Sequence, residues 1–262
     1  MSLFKKDKNP LSGKPKRAVA FVDYEHWYIS LYRNYGIRPN IGLWFDEMKK
    51  RVNLTEAIFF ADFSHQSLAD EIRRIRLFSN KIVDTRSTSG NVKKDFTDFI
   101  ILDHIYQKAL SSDDIDVFIL LTGDGHFSSV VSFLKNIYSK EVGIYGVTNS
   151  FSRQLRETAS WSIELPFADE ITDRYNKLVF DSIIEYEKKA PGQVATLTKI
   201  TEIANSKQNV SNNELNNTIN KLTESGYLTL RRIGMKMKNQ ENALFVDWNK
   251  LEKDEIYSKG KA

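Results

Sequence analysis

The sequence predicts an α/β fold, a three-layer, doubly wound, mainly parallel sheet, followed by a small winged-helix α+β domain. Short apolar runs rich in β-branched residues recur along residues 16–168, and helical segments separate them. This alternation is typical of βαβ units, whose right-handed crossovers place helices on both faces of a sheet. After residue 168 the pattern changes to three helices and two strands, which predicts a second domain over 169–250.

The first predicted domain is described by its strands and helices in chain order. The strands are predicted at 17–23, 57–61, 81–84, 116–121, 142–147 and near Ile163. The helices are predicted at 25–35, 41–52, 68–79, 95–110, 126–138 and 152–160. The polar stretch 85–94 is predicted to be an exposed loop, and the domain is expected to end near Pro166.

The second predicted domain has helices at 173–189, 197–206 and 213–225 and strands at 227–233 and 243–248. Ser211 is a candidate N-cap for the third helix, and Gly226 a candidate stop signal after it. Three helices followed by a hairpin with a polar tip form a winged-helix pattern. Residues 1–15 and 251–262 are predicted to be tails, the first of them basic.

Composition limits the classes of protein that this chain can belong to. Of the 262 residues 41% are hydrophobic and 27% are charged, and no apolar run is long enough for a membrane span, which indicates an ordinary globular protein. The basic N-terminus lacks the apolar stretch of a signal peptide, so a cytoplasmic location is expected. The chain has no cysteine, so a metal would need oxygen or imidazole ligands. A net charge of +4 weakly favours a polyanionic partner.

Two aspartates stand where predicted strands end. Asp23 ends the run 17–23, and Asp124 follows the run 116–121 within a Thr-Gly-Asp-Gly-His-Phe turn. Carboxylates at the carboxyl ends of parallel strands point into the crevice where open α/β sheets bind ligands. If the two strands are neighbours, the acids converge and repel each other, and a divalent cation relieves that repulsion. The plainer interpretation is that each aspartate only forms a turn after its strand.

Three segments in order carry a resemblance to a known family. They are Phe-Val-Asp-Tyr-Glu-His-Trp at 21–27, Lys-Asp-Phe-Thr-Asp-Phe at 94–99 and the turn at 122–127, and Val-Thr-Asn-Ser at 147–150 closes the domain. Together they resemble the NYN domain family (LabA-like), relatives of the PIN-like nucleases, over about residues 15–167. The resemblance implies neighbouring strands for Asp23 and Asp124 and a metal-dependent endoribonuclease.

Carried over by position, the resemblance implies an acidic cluster of Asp23, Asp98 and Asp124 holding Mg²⁺ or Mn²⁺. Asp98 stands in the first turn of a helix, where a carboxylate also stabilises the helix dipole without any ligand. The chain departs from the family where His126 replaces a frequent second acid, and where His26 replaces a frequent asparagine. Asp103 is the nearest match to a later helix acid, one residue off the expected spacing, and is a candidate catalytic residue or a buried hydrogen-bonding group.

His126 is a candidate general base, phosphate contact or outer-shell group, or merely the first residue of its helix. Further candidates for nucleic-acid contacts are two lysines, two hydroxyls at strand ends and a basic cluster on the predicted wing. These are Lys93, Lys94, Thr122, Ser150, Arg231, Arg232, Lys236 and Lys238. The cluster His26, Trp27 and Tyr28 is interpreted either as core packing or as a surface that stacks on RNA bases.

Two functions from different classes follow. The first is a divalent-metal-dependent endoribonuclease whose winged helix binds or selects RNA. The second is a non-catalytic RNA-binding or regulatory protein on a degenerate NYN fold, which His126 in place of an acid favours. DNA as the substrate and a homodimer through either domain are left open.

Overall fold

The structure is a computed structural model that describes residues 15–86, 96–207, 210–233 and 241–258. The chain divides into two compact units, Met1–Leu165 and Pro166–Ala262. The predicted boundary at 168/169 is therefore close to the observed one. Across the described ranges, no helix is both long and apolar enough to cross a membrane.

The first unit is built on a six-stranded parallel sheet with the order β3-β2-β1-β4-β5-β6. The strands are β1 Arg17–Asp23, β2 Asn53–Ala61, β3 Ile82–Asp84, β4 Val117–Leu121, β5 Glu141–Val147 and β6 Trp161–Leu165. β1 pairs with β4 from Ala18↔Val117 to Val22↔Leu121. The chain order reverses at this central pair, and in such sheets ligands bind at the carboxyl ends of the strands where the order reverses.

Helices cover both faces of this sheet, as the alternating pattern predicts. They are α1 Tyr24–Tyr35, α2 Ile41–Lys49, α3 Gln66–Ala69, α4 Glu71–Arg76, α5 Phe96–Ser111, α6 Ser128–Asn136 and α7 Arg153–Thr158. On one face, side chains from β1, β2, β4 and β5 pack against α5, α6 and α7 in a single apolar core. On the other face, Trp44 of α2 contacts the rings of Trp27, Phe59 and Tyr145. With both faces covered, the central strands are apolar along their whole length, which is why they lack alternation.

In the first unit, two predicted helices are divided or begin differently in the structure. The helix predicted at 68–79 is two short helices, because α4 begins anew at Glu71, whose fully buried carboxylate accepts hydrogen bonds from the Tyr24 hydroxyl (2.6 Å) and from Arg74 (2.5 Å). The helix predicted at 126–138 opens as a 3₁₀ turn at Gly125–Phe127 before α6 begins at Ser128.

The second unit contains α8 Ala168–Lys189, α9 Leu197–Lys207, α10 Asn212–Glu224, β7 Leu228–Ile233, β8 Glu241–Val246 and α11 Trp248–Lys253. β7 and β8 form an antiparallel hairpin, and a single bridge joins Thr196 to Ala243. Ser211 caps α10 in a capping box with Glu214, and Gly226 follows that helix at φ 74°, so both signals predicted for α10 are confirmed.

The tail predicted from residue 251 is wrong for residues 251–258. Leu251 lies in α11 and is fully buried, and the Tyr257 ring packs 5.2 Å from the ring of Phe180. The physical reason is that Leu251 and Tyr257 cover one side of the apolar core that α8, α9 and α10 share. The helix predicted from 173 begins at Ala168, since the Glu170 carboxylate accepts the Phe167 N–H at 2.9 Å and stabilises an earlier first turn.

Candidate metal centre

Asp23 ends β1 and begins α1. One carboxylate oxygen accepts the backbone N–H of His26 at 3.0 Å, so the side chain caps the helix. The residue is only 7% exposed. A carboxylate at this junction has a fixed position, because the strand holds it from one side and the helix from the other.

Asp124 lies three residues beyond the end of β4 and shapes a tight turn. Its backbone N–H donates to the Thr122 hydroxyl at 3.2 Å, and its carboxylate accepts the His126 N–H at 2.8 Å. The imidazole of His126 also contacts this carboxylate, with its Nδ1 3.2 Å from Oδ1 of Asp124. The His126 side chain is 87% exposed, whereas the Asp124 side chain is 33% exposed. The imidazole is therefore the outermost part of this turn.

Gly123 allows the turn to sit against the loop that follows β5. A Cβ at this position would lie 1.8 Å from the Ser150 carbonyl oxygen and 2.6 Å from Nε2 of His26. The Ser152 N–H donates to the Gly123 carbonyl at 2.9 Å, which joins the two loops. Only glycine leaves room for this approach, so the small residue before Asp124 is a packing requirement.

Asp98 reaches the same place from the first turn of α5. The turn is held by Thr97, whose hydroxyl lies 2.7 Å from the hydroxyl of Thr85 just beyond β3. Thr85 is 4% exposed, so the contact is shielded from water. Asp98 therefore approaches from the first turn of a helix that is tied to the edge of the sheet.

These elements bring three side chains together. Ligand atoms of Asp98, Asp124 and His126 all lie within 4.8 Å of one another. Asp23 lies outside this group, although its carboxylate is close enough to interact electrostatically with Asp98 and Asp124. The structure therefore separates the predicted cluster into a tight group of three and a buried neighbour.

The protonation of Asp23 reflects this crowding. Burial, together with the negative charges of Asp98, Glu25 and Asp124, raises the pKa of Asp23 to about 8, against the lowering effect of the His26 N–H. Without a cation the Asp23 carboxyl is thus largely protonated near neutral pH. A divalent cation beside these acids would reverse the repulsion and favour the ionised form.

The His26 side chain lies against Gly123, in the turn that carries Asp124. Burial lowers the pKa of His26, against opposing effects of the Ser150 carbonyl and the Asp124 charge. Its neighbours Trp27 and Tyr28 are 2% and 7% exposed, so these two rings belong to the core and are not a stacking surface for RNA.

Several predicted site residues lie elsewhere. Asp103 is exposed on α5, where its carboxylate accepts a hydrogen bond from Gln107 at 2.7 Å, and it is not in the group of three. The reason is helical geometry, since Asp103 is five positions beyond Asp98, a spacing that places the two side chains on different faces of the helix. Thr122 is 2% exposed and shapes the Asp124 turn, a position that does not face an incoming phosphate.

Ser150 is partly buried, and its hydroxyl accepts a hydrogen bond from Asn34 at 3.0 Å. Arg231 and Arg232 are exposed on β7, and the Arg231 guanidinium lies 5.1 Å from the ring centre of Phe245. Four predicted contact residues lie outside the described ranges: Lys93, Lys94, Lys236 and Lys238.

Two residues that influence the site were not among those predicted from the sequence. Glu25 adds negative charge beside Asp23, and its carboxylate accepts the Asp62 N–H at 3.2 Å. Asn34 holds the loop after β5 by donating to the Thr148 carbonyl at 3.2 Å. Glu25 stands inside the segment 21–27 and could have been found from its position beside Asp23. Asn34 carries no local signal, because its partners are more than a hundred residues away.

The donor set fits a hard or borderline divalent cation. Two carboxylates and one imidazole suit Mn²⁺, and the carboxylates alone suit Mg²⁺. Thiolate ligands are excluded, because the chain has no cysteine. The buried acid beside the group, Asp23, would add a negative charge once a bound cation favours its ionised form.

Comparisons with known proteins match this chain to a domain family and to solved structures. The model of the NYN domain matches residues 17–166. No curated protein matches the chain. The crystal structure of a protein of unknown function from Vibrio parahaemolyticus aligns with a TM-score of 0.52 at 20% identity, covering 59% of this chain and 96% of that one. That likeness concerns the fold alone. The Aeropyrum pernix Orc1 protein in complex with DNA aligns with a TM-score of only 0.27 at 11% identity, covering 93% of this chain and 86% of that one, and supports no inference.

Proposed function

Since the chain belongs to the NYN domain family, we propose that it is a divalent-metal-dependent endoribonuclease that hydrolyses RNA phosphodiester bonds at Asp98, Asp124 and Asp23. The first unit carries a NYN, PIN-like nuclease domain with an acidic cluster. The observation that carries the proposal is the meeting of Asp98, Asp124 and His126 within 4.8 Å at the central strands of the sheet.

Each side chain has a role in this proposal. Asp98 and Asp124 hold Mg²⁺ or Mn²⁺, with Asp23 as a third acid beside them. When bound, the cation would offset the phosphate charge and acidify a water molecule. His126, exposed at the mouth and hydrogen-bonded to Asp124, is placed to take up or deliver a proton from solvent. Gly123 and Thr122 keep Asp124 in position.

The second unit is proposed to hold or select the RNA. Its hairpin exposes Arg231 and Arg232. Positive charge on such a hairpin attracts the phosphates of RNA whatever the base sequence. In α10, Glu214 is engaged with Tyr175 and Ser211, and asparagines form much of the exposed face. The hairpin is therefore a better candidate for phosphate contacts than the helix.

The experiment is incubation of the full chain with structured and unstructured RNA in Mn²⁺, Mg²⁺ or EDTA, with single-stranded DNA alongside. Cleavage of RNA in either metal, absent in EDTA and in Asp98→Asn and Asp124→Asn, supports the proposal. Asp113→Asn is the matched control, because Asp113 is an exposed acid in the loop before β4, at the opposite end of the sheet. Intact RNA under every metal condition would contradict it.

The same assay addresses the non-catalytic alternative. The observation that favours this alternative is His126, an imidazole where an acid is frequent in the family. If the protein only binds RNA, it leaves RNA intact in every metal, and Asp124→Asn binds RNA as tightly as the wild type. Fluorescence anisotropy with labelled RNA measures this separately from cleavage.

A further inference from the structure

Helix α5 is apolar on its solvent-facing side as well as on its core side. Ile101, Ile105 and Ala109 are buried against the sheet. On the outward face, four large side chains remain accessible: Phe96 (46% exposed), Phe99 (71%), Tyr106 (37%) and Leu110 (71%). Single exposed apolar residues are common, but four large ones along the same face of one helix indicate an interaction surface.

The row has the spacing of a helix-pairing seam. Positions 96, 99, 103, 106 and 110 alternate steps of three and four residues, which is the a/d pattern of helices that pack side by side. Asp103 occupies the middle position. It is exposed, and Gln107 donates a hydrogen bond to it at 2.7 Å.

We propose that α5 packs antiparallel against α5 of a second copy of this chain, with Phe99 facing the partner's Leu110 and Asp103 facing the partner's Tyr106. A parallel arrangement would put Asp103 against its own copy, which like charges disfavour. The antiparallel register gives the carboxylate a phenolic hydroxyl to accept from, and a two-fold axis repeats each contact. The surface is therefore self-complementary and closes as a dimer.

Neighbouring aromatic residues widen the surface beyond the seam. The Tyr106 ring lies 5.1 Å from Phe133 of α6, and Phe133 lies 5.1 Å from Tyr138. The seam has only four paired layers along a helix of about 24 Å. The area that it buries is therefore expected to be below the roughly 800 Å² per partner of a standard interface. The dimer is therefore expected to be reversible in the micromolar range.

The composition of the face favours protein over nucleic acid. Exposed aromatic rings also stack on bases, but such surfaces are accompanied by free cations that track the phosphates. The one lysine of α5, Lys108, lies 2.6 Å from Glu56 and is paired with it. The outward face instead carries Asp103, which would repel phosphate.

Sedimentation of the full chain tests the proposal. The wild type is expected to change from monomer to dimer as its concentration rises to about 100 µM. Leu110→Lys is expected to remain monomeric, with an unchanged circular dichroism spectrum. The matched control is Leu77→Lys, since Leu77 is also highly exposed (78%) but lies at the end of α4, and this variant is expected to dimerise as the wild type does.

Cross-linking tests the register, because the chain has no cysteine of its own. Phe99→Cys with Leu110→Cys in one chain is expected to give a covalent dimer on oxidation. The two cysteines within one chain would be about 16 Å apart along the helix, too far for an internal disulfide. Phe99→Cys alone is expected to stay uncross-linked.

A wild type that is monomeric throughout, or a dimer unaffected by Leu110→Lys, overturns the proposal. So does a monomer whose RNA affinity falls in Leu110→Lys, which would assign the face to nucleic acid.

Discussion

The hydroxyl of Thr85, just past β3, lies 2.7 Å from the hydroxyl of Thr97 in the first turn of α5. Residue 97 adjoins Asp98, so this contact fixes the direction from which one acid enters the cluster. It joins an edge of the sheet to the acids at its central strands. The position of Asp98 thus depends on a residue outside the group of Asp98, Asp124 and His126.

Replacing Thr85 with valine keeps its shape but removes this contact. The variant is expected to bind Mn²⁺ more weakly, by about tenfold, because the second shell orients metal ligands. Isothermal titration calorimetry measures the affinity. Thr55→Val is the control, since the Thr55 hydroxyl donates to the Ala18 carbonyl within the sheet, away from the carboxyl ends of the strands. Equal Mn²⁺ affinities for wild type and Thr85→Val would refute the positioning role.

Gly123→Ala is expected to destabilise the first unit by about 3 kcal/mol or more, because the added methyl group overlaps the Ser150 carbonyl. Gly125→Ala is the comparison. Its Cβ would meet the Ser152 hydroxyl at 2.8 Å, and that side chain can rotate away at the cost of one weak hydrogen bond, which it accepts from the Leu155 N–H at 3.4 Å. Denaturant unfolding is the measurement. The prediction fails if the two alanine variants are equally stable.

Metal-free stability is expected to fall as the pH rises from about 4 to about 8. The reason is Asp23, whose pKa is raised to about 8 by burial and by neighbouring acids, whereas an unfolded aspartate has a pKa of about 3.9. Between these values the unfolded chain loses the proton and the folded chain keeps it. Stability is thus fully present below the unfolded pKa and declines until the folded pKa is reached, by at most about 1.4 kcal/mol per pH unit.

The Asp23→Asn variant separates the contribution of Asp23 to the pH dependence of stability from the contributions of other titrating groups. Asparagine can still accept the His26 N–H as an N-cap, but it does not ionise. In EDTA the variant is therefore expected to lose less stability than the wild type over the same pH range, as read from melting temperatures. Parallel curves for the two proteins would show that Asp23 does not titrate in this window.

Mn²⁺ is expected to raise the melting temperature of the wild type, since a ligand that binds only the folded state stabilises it by mass action. At a concentration of 100 times the dissociation constant, the gain is about 2.7 kcal/mol. Asp98→Asn and Asp124→Asn are expected to lose most of this gain, and Asp113→Asn to keep it. If Asp124→Asn gains as much as the wild type, the cluster is not the metal site.

The proposed contact between RNA and the β7–β8 hairpin leads to a separate prediction. Arg231→Ala with Arg232→Ala is expected to lower affinity and to make it less sensitive to salt, because fewer counterions are released. The control removes the same charge from two exposed lysines, Lys188 and Lys253, on other elements of the second unit. An unchanged salt dependence in the arginine variant would exclude the hairpin as a phosphate contact.

Much of the fold was predictable because its signals are local. The apolar runs of β1, β4 and β5 coincide with observed strands to within one residue, and Ser211 caps α10 through a capping box that can be read from the sequence. The break in the helix predicted at 68–79 was not predictable, because it depends on Glu71 meeting Tyr24 across the fold. The packing of Leu251 and Tyr257 on the second core was missed for the same reason.

By itself, the sequence determined that acids stand at the ends of two buried strands and in the first turn of a helix, since strand periodicity and turn chemistry are short-range properties. Only the tertiary structure decided which of them meet. Pairing of β1 with β4 and the tie between Thr85 and Thr97 bring Asp98, Asp124 and His126 within 4.8 Å, keep Asp23 buried beside them and leave Asp103 in solvent. His126 meets Asp124 within a single turn, but the approach of Asp98 and Asp23 to this pair arises from contacts between residues far apart in the chain, and no local pattern encodes it.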